Sequence, residues 1–286
     1  MTLVMPRTLA GRPRRLKISA VLSVLVLCVA AILVVAPIVW ALSTSLRTPA
    51  DSFNEPPHWL PTHPQFSNYR AVFQQVPLGT FILNSTLITG AIVIGQLITS
   101  TMSGYAFAMV RIRGGKALFM IILATMMVPL QTTIIPVFLL IKYMGLTDTR
   151  TALILPAVGS AFGTFLMRQY FMQMPRELGE AARVDGASQF QVFRRIYAPM
   201  ALPPMATLAV LAFSAFWNEF FRPLIFLQSQ SKFTLPLGLV SLQGTMGTGS
   251  ISVVLAGVVI AMIPSVAIFI AAQRYFVEGI VTGSFR

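Results

Sequence analysis

Charged residues and cysteine are scarce in this chain of 286 residues. Only 10% of the residues are charged, whereas 56% are hydrophobic and the mean hydropathy is +0.77. A water-soluble domain of this length needs less apolar material to fill its core. The single cysteine, Cys28, excludes an internal disulfide and a metal centre built from several thiolates. The composition therefore predicts an integral membrane protein.

Acidic residues and histidines, the usual acid–base and metal-binding groups, are also few. The 8 acidic residues are scattered, and the 2 histidines, His58 and His63, share a loop without a carboxylate cluster. Such a distribution offers neither a metal site nor a catalytic pair. The chain also lacks the G-x-x-x-x-G-K-[ST] pattern of a phosphate-binding loop. We therefore expect no catalytic residue, metal or cofactor in this chain.

The basic residues lie between apolar segments rather than in dense patches. The net charge is +13, yet the basic residues are not interleaved with exposed aromatics as they would be on a nucleic-acid surface. The expected partner is therefore a lipid bilayer and not a nucleic acid.

Six apolar segments are long enough to cross a bilayer as helices, which takes about 20 residues. The first is uncharged for 25 residues and no clear cleavage site follows it, so we interpret it as a retained anchor rather than a signal peptide. The fourth is the shortest, and residues 169–171 extend it past Arg168. The predicted spans are 18–42, 81–110, 117–141, 151–167, 201–227 and 251–272.

The distribution of basic residues between the loops predicts the orientation. Of the 21 basic residues, 15 lie on one side of the six-span arrangement, 5 lie on the other, and Arg222 lies inside the fifth span. Because basic loops stay in the cytoplasm, both termini and the loop 172–200 are predicted to be cytoplasmic. The proline-rich loop 43–78 then faces outward, where we expect extended or turn structure.

The cytoplasmic loop 172–200 carries signals for two short helices with a bend between them. Glu177 and Glu180 favour the first turn of a helix, and Gly186 is placed to end that helix in a left-handed conformation. Ser188 and Gln191 have the spacing of a capping box that starts a second helix.

Small side chains and one carboxylate predict a docking surface on this loop. Small residues let another backbone approach closely, and Glu180 can pair with a basic residue of a docked partner. The small residues are Ala181, Ala182, Gly186 and Ala187.

The sequence of this loop resembles a motif of a known protein family. Glu180-Ala181-Ala182, Gly186 and Ile196-x-x-Pro199 are similar to the "EAA" cytoplasmic loop of membrane subunits of bacterial ABC importers, with Ala198 in place of a leucine. The segments "NSTLITG", "GYAFAMVRIRGG", "MVPLQTTIIPVF", "FWNEF" and "QRYFVEGIVTGSFR" extend the resemblance over nearly the whole chain, to the MalG-like carbohydrate permeases.

The resemblance implies an all-α protein of the type I ABC importer fold, with six transmembrane helices and a cytoplasmic coupling loop. Residues 1–17 are then a basic cytoplasmic segment, residues 18–274 the permease domain, and residues 275–286 a cytoplasmic tail. The residues expected to couple to the ATPase are Glu180, Ala181, Ala182, Gly186, Ala187, Ile196 and Pro199.

The resemblance also implies a transport subunit of the bacterial cytoplasmic membrane rather than an enzyme. Its expected partners are a second, related permease, two cytoplasmic ATPase subunits that use ATP and Mg²⁺, and an external solute-binding protein. The expected substrate is a sugar or sugar derivative, moved by alternating access.

Glu219 and Arg222 lie inside the fifth predicted span, where charges are costly unless they pair or face water. Three apart on one helix, they can form a structural ion pair. Alternatively, Glu219, Asn218 and Trp217 lie beside the solute path, since aromatic faces and carboxylates are common sugar contacts. Asn84 and Gln131 are further path candidates, which hydrogen bonds between helices explain at least as well.

Two other function classes stay open at this stage. An intramembrane enzyme acting on lipid-linked sugars would need clustered carboxylates or histidines, which the sequence lacks. An ion-coupled carrier acting alone would need inverted repeats and buried carboxylates, of which only Glu219 qualifies. Co-purification with an ATPase separates both from an importer subunit.

Overall fold

The computed structural model describes residues 18–48, 60, 61, 63–244 and 249–283. Helices make up most of the described residues, and none of these residues forms a strand, which confirms the all-α prediction. The basic segment 1–17, His58 and residues 284–286 lie outside the described ranges, whereas His63 is exposed.

The helices differ widely in length, and most of the connections between them are short, apart from the one between Ser45 and Ser67. They are α1 (Ile18–Ser45), α2 (Ser67–Gln75), α3 (Leu78–Met109), α4 (Gly115–Thr125), α5 (Leu130–Tyr143), α6 (Arg150–Ile154), α7 (Ala161–Phe171), α8 (Glu177–Val184), α9 (Gln189–Val192), α10 (Ala198–Met200), α11 (Leu202–Trp217), α12 (Phe221–Phe226), α13 (Leu235–Val240) and α14 (Ile251–Gly283).

Four helical segments are long and apolar enough to cross a membrane, and two bent helix pairs bring the total to six if each pair is one span. The α6–α7 segment, Arg150–Phe171, ends at Phe171, so the predicted extension past Arg168 is confirmed. The four segments are Leu22–Ser45, Leu78–Met109, Arg150–Phe171 and Ile251–Gln273.

The third predicted span is broken, so the expectation of one continuous helix over 117–141 was wrong. Its halves, α4 and α5, meet at an angle of 101°. Pro129 stands at the break in an extended conformation. Because proline has no N–H and disfavours helical geometry in the residue before it, the helix ends before this position.

The fifth predicted span, 201–227, also ends earlier than expected. Helix α11 stops at Trp217, residues 218–220 are not helical, and α12 begins at Phe221. Glu219 therefore lies in a break between two helices and not on one helix with Arg222. At its other end α11 meets the preceding segment, Gln189–Met200, at a bend of 73°.

The loop 43–78 contains a helix that the sequence did not predict. Helix α2 buries Val72 against α14, and its Asn68 side chain donates hydrogen bonds to the carbonyls of Ser45 and Arg47 at 2.9 and 2.8 Å. The loop is thus packed on the end of the helix bundle. Residues 49–59 and 62 of the same loop lie outside the described ranges.

The centre of the bundle is the packing of α3 against α7 and α11. Glycines allow the close approach: a Cβ on Gly104 would lie 2.6 Å from the Cβ of Met167, and one on Gly163 would lie 2.3 Å from the Ser100 hydroxyl. Gly159 has open space around it, so only Gly163 of the Gly159-x-x-x-Gly163 pair serves tight packing.

A polar clasp of five residues, Asn84, Asp148, Arg150, Ser229 and Lys232, joins the elements at the end of the bundle where α3 begins. The Asp148 carboxylate accepts from the Ser229 hydroxyl at 2.6 Å and from Lys232 at 2.9 Å. Arg150 donates to the Asn84 side-chain oxygen at 2.8 Å. The clasp therefore ties the start of α3 to the loops around α6 and α12.

Candidate functional site

The coupling loop folds as two short helices around a glycine turn, as the sequence predicts. Helix α8 has Glu177 and Glu180 in its first turn, and Gly186 follows with φ +87°. The Ala187 amide donates to the Ala182 carbonyl at 2.9 Å across this turn. Ser188 and Gln191 form the expected capping box at the start of α9.

The predicted docking residues divide between two faces of the loop. Glu180, Ala181, Gly186 and Pro199 are exposed. Ala182, Ala187 and Ile196 are half-buried, and they pack on the chain's own core cluster around Tyr105, Phe171 and Tyr197. The structure thus does not bring all seven residues onto one outward surface, because three of them fasten the loop to the bundle.

Gly179, which the sequence argument passed over, is where the loop needs a small residue most. It is buried, and a Cβ there would lie 2.9 Å from the Tyr197 hydroxyl. That hydroxyl donates to the Pro175 carbonyl at 3.0 Å. The only local signal is the position of Gly179 directly before Glu180, since Tyr197 lies much further along the chain.

A polar cavity of ≈ 540 Å³ lies between the end of α3 and the coupling loop. Its lining includes Glu180 and three arginines, Arg111, Arg176 and Arg183. Among the residues that the structure describes, no basic group lies within 4.0 Å of the Glu180 carboxylate. This exposed carboxylate is therefore not neutralised by an ion pair with the described residues.

Asn84 is a structural residue of the polar clasp. It is fully buried, its amide donates to the carbonyls of Ser231 and Phe233 at 2.9 and 3.0 Å, and its oxygen accepts two bonds from Arg150. All of its hydrogen-bonding capacity is used inside the chain. Gln131 lies at the start of α5, just after the break, and is exposed.

Trp217 and Asn218, at the end of α11, have different surroundings. Trp217 is buried, stacks on Phe213 with ring centroids 5.3 Å apart, and donates its indole N–H to the Ala261 carbonyl at 3.1 Å. Asn218 is exposed and lines a mostly apolar cavity of ≈ 380 Å³, together with Gln243 and Ser265.

Glu219 and Arg222 form the predicted ion pair, although across a break in the helix. Both carboxylate oxygens of Glu219 accept from the Arg222 guanidinium. Arg222 is only 5% exposed, and its guanidinium also lies over the Phe216 ring, 5.1 Å from the centroid. Each charge thus has its counterion beside it, as a buried pair requires.

The described part of the chain contains no group of three or more histidine, cysteine or acidic side chains that could hold a metal ion. The polar residues described above serve packing and pairing within the chain.

Comparisons with known proteins give a consistent result. Residues 100–281 match the family described as "Binding-protein-dependent transport system inner membrane component". The arabinooligosaccharides transport system permease AraQ of Halalkalibacterium halodurans is 36% identical over 220 residues, which cover 77% of this chain and 78% of that protein. The lactose transport system permease LacG of Rhizobium radiobacter is 36% identical over 214 residues, covering 75% and 78%.

A third relative and a solved structure are also similar to this chain. The sn-glycerol-3-phosphate transport system permease UgpE of Yersinia pestis is 35% identical over 206 residues, covering 72% of this chain and 73% of that protein. A chain from the crystal structure of a bacterial ABC transporter that imports the acidic polysaccharide alginate matches with a TM-score of 0.82 and 28% identity, over 93% of this chain and 99% of that one.

Proposed function

The chain belongs to the family of binding-protein-dependent transport system inner membrane components, and from this premise we propose that it moves a sugar or sugar derivative into the cell as one permease subunit of an ATP-driven importer. The relatives named for their substrates transport arabino-oligosaccharides, lactose and sn-glycerol-3-phosphate. These compounds share a polyhydroxylated carbon skeleton, which supports a substrate of the same chemical class.

We propose that ATP and Mg²⁺ act in two separate cytoplasmic ATPase subunits, with a second permease and an external solute-binding protein completing the importer. The observation that carries this proposal is the exposed face of the coupling loop, where the Glu180 carboxylate has no ion-pair partner among the residues that the structure describes. ATP-driven closure of the ATPases moves the docked loop, which shifts the bundle between inward-facing and outward-facing states.

For the solute path we propose Asn218 and the cavity that it lines. Asn84 and Trp217 are buried and make hydrogen bonds inside the chain, which supports a structural role for both, whereas Asn218 donates to the Ser214 carbonyl at 2.9 Å but is exposed. Glu219 neighbours the cavity residue Asn218 in sequence, but its carboxylate is held by Arg222. Gln131 is exposed and lines neither of the two cavities described above.

In the same proposal the protein lies in the bacterial cytoplasmic membrane, with residues 1–17, the coupling loop and residues 275–286 in the cytoplasm and residues 18–274 forming the permease domain. The basic-residue distribution supports this orientation. The clasp and α2 then lie at the outer end of the bundle.

The orientation predicts one-sided labelling of single cysteines in a Cys28→Ala background. Gln173→Cys should react with an impermeant maleimide only in inside-out vesicles, and His63→Cys only in right-side-out vesicles. Both native residues are exposed and uncharged or weakly basic, so the substitutions leave the arginine and lysine distribution intact. Reaction of both cysteines from the same side would contradict the proposed topology.

Reversal of the charge at Glu180 should uncouple transport. We expect Glu180→Lys to insert normally but to lower ATP-driven uptake by about tenfold or more, because a repulsive contact at a docking surface costs several kcal/mol. Glu177→Lys is the matched control, since Glu177 is also exposed in the first turn of α8.

The measurements are uptake per permease molecule and co-purification of the ATPase subunits with each variant. Wild-type uptake and normal ATPase association in Glu180→Lys would contradict the docking assignment. Failure of the wild-type chain to co-purify with an ATPase would contradict the importer proposal itself.

A further inference from the structure

Four aromatic rings join the coupling loop to the end of α3. We call Tyr105, Phe171, Phe193 and Tyr197 the aromatic junction. The Tyr105 ring centroid lies 5.0 Å from that of Phe193, 5.4 Å from that of Tyr197 and 5.8 Å from that of Phe171. Tyr105 and Tyr197 are 5% and 2% exposed, so the junction is close-packed and transmits displacement rather than absorbing it.

Two hydroxyl groups tie this junction to both halves of the coupling loop. The Gln189 amide, at the start of α9, donates to the Tyr105 hydroxyl at 2.8 Å. The Tyr197 hydroxyl donates to the Pro175 carbonyl, just before α8, at 3.0 Å. A movement of either short helix therefore displaces a ring of the junction.

The cavity of ≈ 540 Å³ separates the rest of the loop from the end of α3, and Tyr105, Gln189 and Tyr197 form part of its wall. A second hydrogen bond between the loop and α3 is longer: the Arg176 guanidinium donates to the Ala108 carbonyl at 3.4 Å. Because packed atoms carry force and an open cavity does not, the junction is the stiff part of this connection.

Helix α3 connects the junction to the polar clasp. It runs without interruption for 32 residues, with Tyr105 near one end and Asn84 near the other. At 1.5 Å per residue these two positions are about 30 Å apart along the helix axis. A rigid shift of α3 at Tyr105 would therefore also move Asn84, which is hydrogen-bonded to Arg150 and to the Ser231 carbonyl.

We infer that the hydrogen bond between Gln189 and Tyr105 is a positioning contact that transmits movement of the docked coupling loop to α3, and through α3 to the clasp. The inference rests on the proposed function, because it assumes that ATPase subunits move the loop. Neither residue touches ATP or the solute in this assignment.

The test uses the permease co-purified with its own partner subunits, in lipid nanodiscs, without any sugar. A reporter cysteine, Asn218→Cys in a Cys28→Ala background, is labelled with fluorescein maleimide, first without nucleotide and then with ATP and vanadate. The readout is the ratio of the two labelling rates, and nucleotide retention by the ATPases is measured on the same samples.

We expect Tyr105→Phe, which keeps the ring and removes the hydroxyl, to reduce the nucleotide-dependent change in labelling about fivefold, a loss typical of one hydrogen bond. Gln189→Met should have the same effect, and the double variant should be no worse than either single one, because all three lack the same bond. Nucleotide retention should not change.

Tyr170→Phe is the matched control. Its hydroxyl also bonds near the loop, to the Met200 carbonyl at 3.1 Å, but makes no tie to α3, so its labelling ratio should stay at the wild-type value. Wild-type ratios in Tyr105→Phe and Gln189→Met, or additive losses in the double variant, would overturn the inference. A wild-type complex whose labelling does not respond to nucleotide would instead overturn the proposed alternating-access function.

Discussion

Glu219→Gln alone should remove most of the folded protein from the membrane, and adding Arg222→Met should restore it. The single change leaves the buried Arg222 guanidinium without its carboxylate. Leaving one member of a buried pair uncompensated costs about 3–5 kcal/mol, whereas replacing both members by apolar or neutral groups is often close to neutral. Arg222→Met alone should be less harmful, since Glu219 borders a break in the helix and is partly exposed.

The measurements are membrane abundance and uptake per molecule for both single variants and the double variant. We expect both quantities to recover in the double variant. This result would show that the ion pair has a structural role. Recovered abundance without uptake would contradict that assignment and place Glu219 on the solute path.

Gly104→Ala should destabilise the bundle, although it adds only one methyl group. The added Cβ would lie 2.6 Å from the Met167 side chain and 2.8 Å from the Arg168 backbone nitrogen. Because the second neighbour is backbone, α3 and α7 must separate, which costs about 1–3 kcal/mol for overpacking of this kind. We expect a lower thermal midpoint in detergent-based size-exclusion measurements.

Gly90→Ala is the matched control, because it makes the same change on the same helix where a Cβ meets nothing within 4 Å. Alanine favours helix over glycine by about 1 kcal/mol, so this variant should be as stable as the wild type or more stable. Equal midpoints for the two variants would contradict the close packing of α3 on α7.

The features that the sequence predicts well are local ones. Gly186 and the Ser188–Gln191 capping box act within a few residues, so their spacing alone predicts the turn and the second helix, and both predictions are confirmed. The resemblance of the loop to the EAA motif could likewise be recognised from the sequence, since the motif lies in one contiguous stretch.

Breaks inside apolar segments were harder to predict. Pro129 is a helix-breaking signal, but the hydrophobic residues on both sides of it gave the pattern of one long span. The end of α11 at Trp217 also has local signals, since Asn218 and Glu219 follow it directly and Pro223 comes soon after, but the phenylalanines and leucines around them gave the pattern of one span.

Contacts between distant parts of the chain could not be predicted from local pattern. Gly179 needs to be small only because Tyr197 packs on it, and the Tyr105 hydroxyl has a partner only because α9 lies beside α3. Likewise, Ala182 and Ala187 have the composition of a docking surface, yet they face the chain's own core.

The polar clasp determines how the stability of this end of the bundle depends on pH. Its Asp148 carboxylate accepts hydrogen bonds from the Ser229 hydroxyl and from the Gln228 and Ser229 amides and pairs with Lys232, and these contacts hold the pKa of Asp148 well below its ordinary value. A lowered pKa means that the stabilisation is complete above the unfolded-state pKa of about 4 and declines only as the pH falls towards the folded-state value. In the proposed orientation this carboxylate lies at the outer end of the bundle, so its contacts in the clasp keep their charge in moderately acidic surroundings.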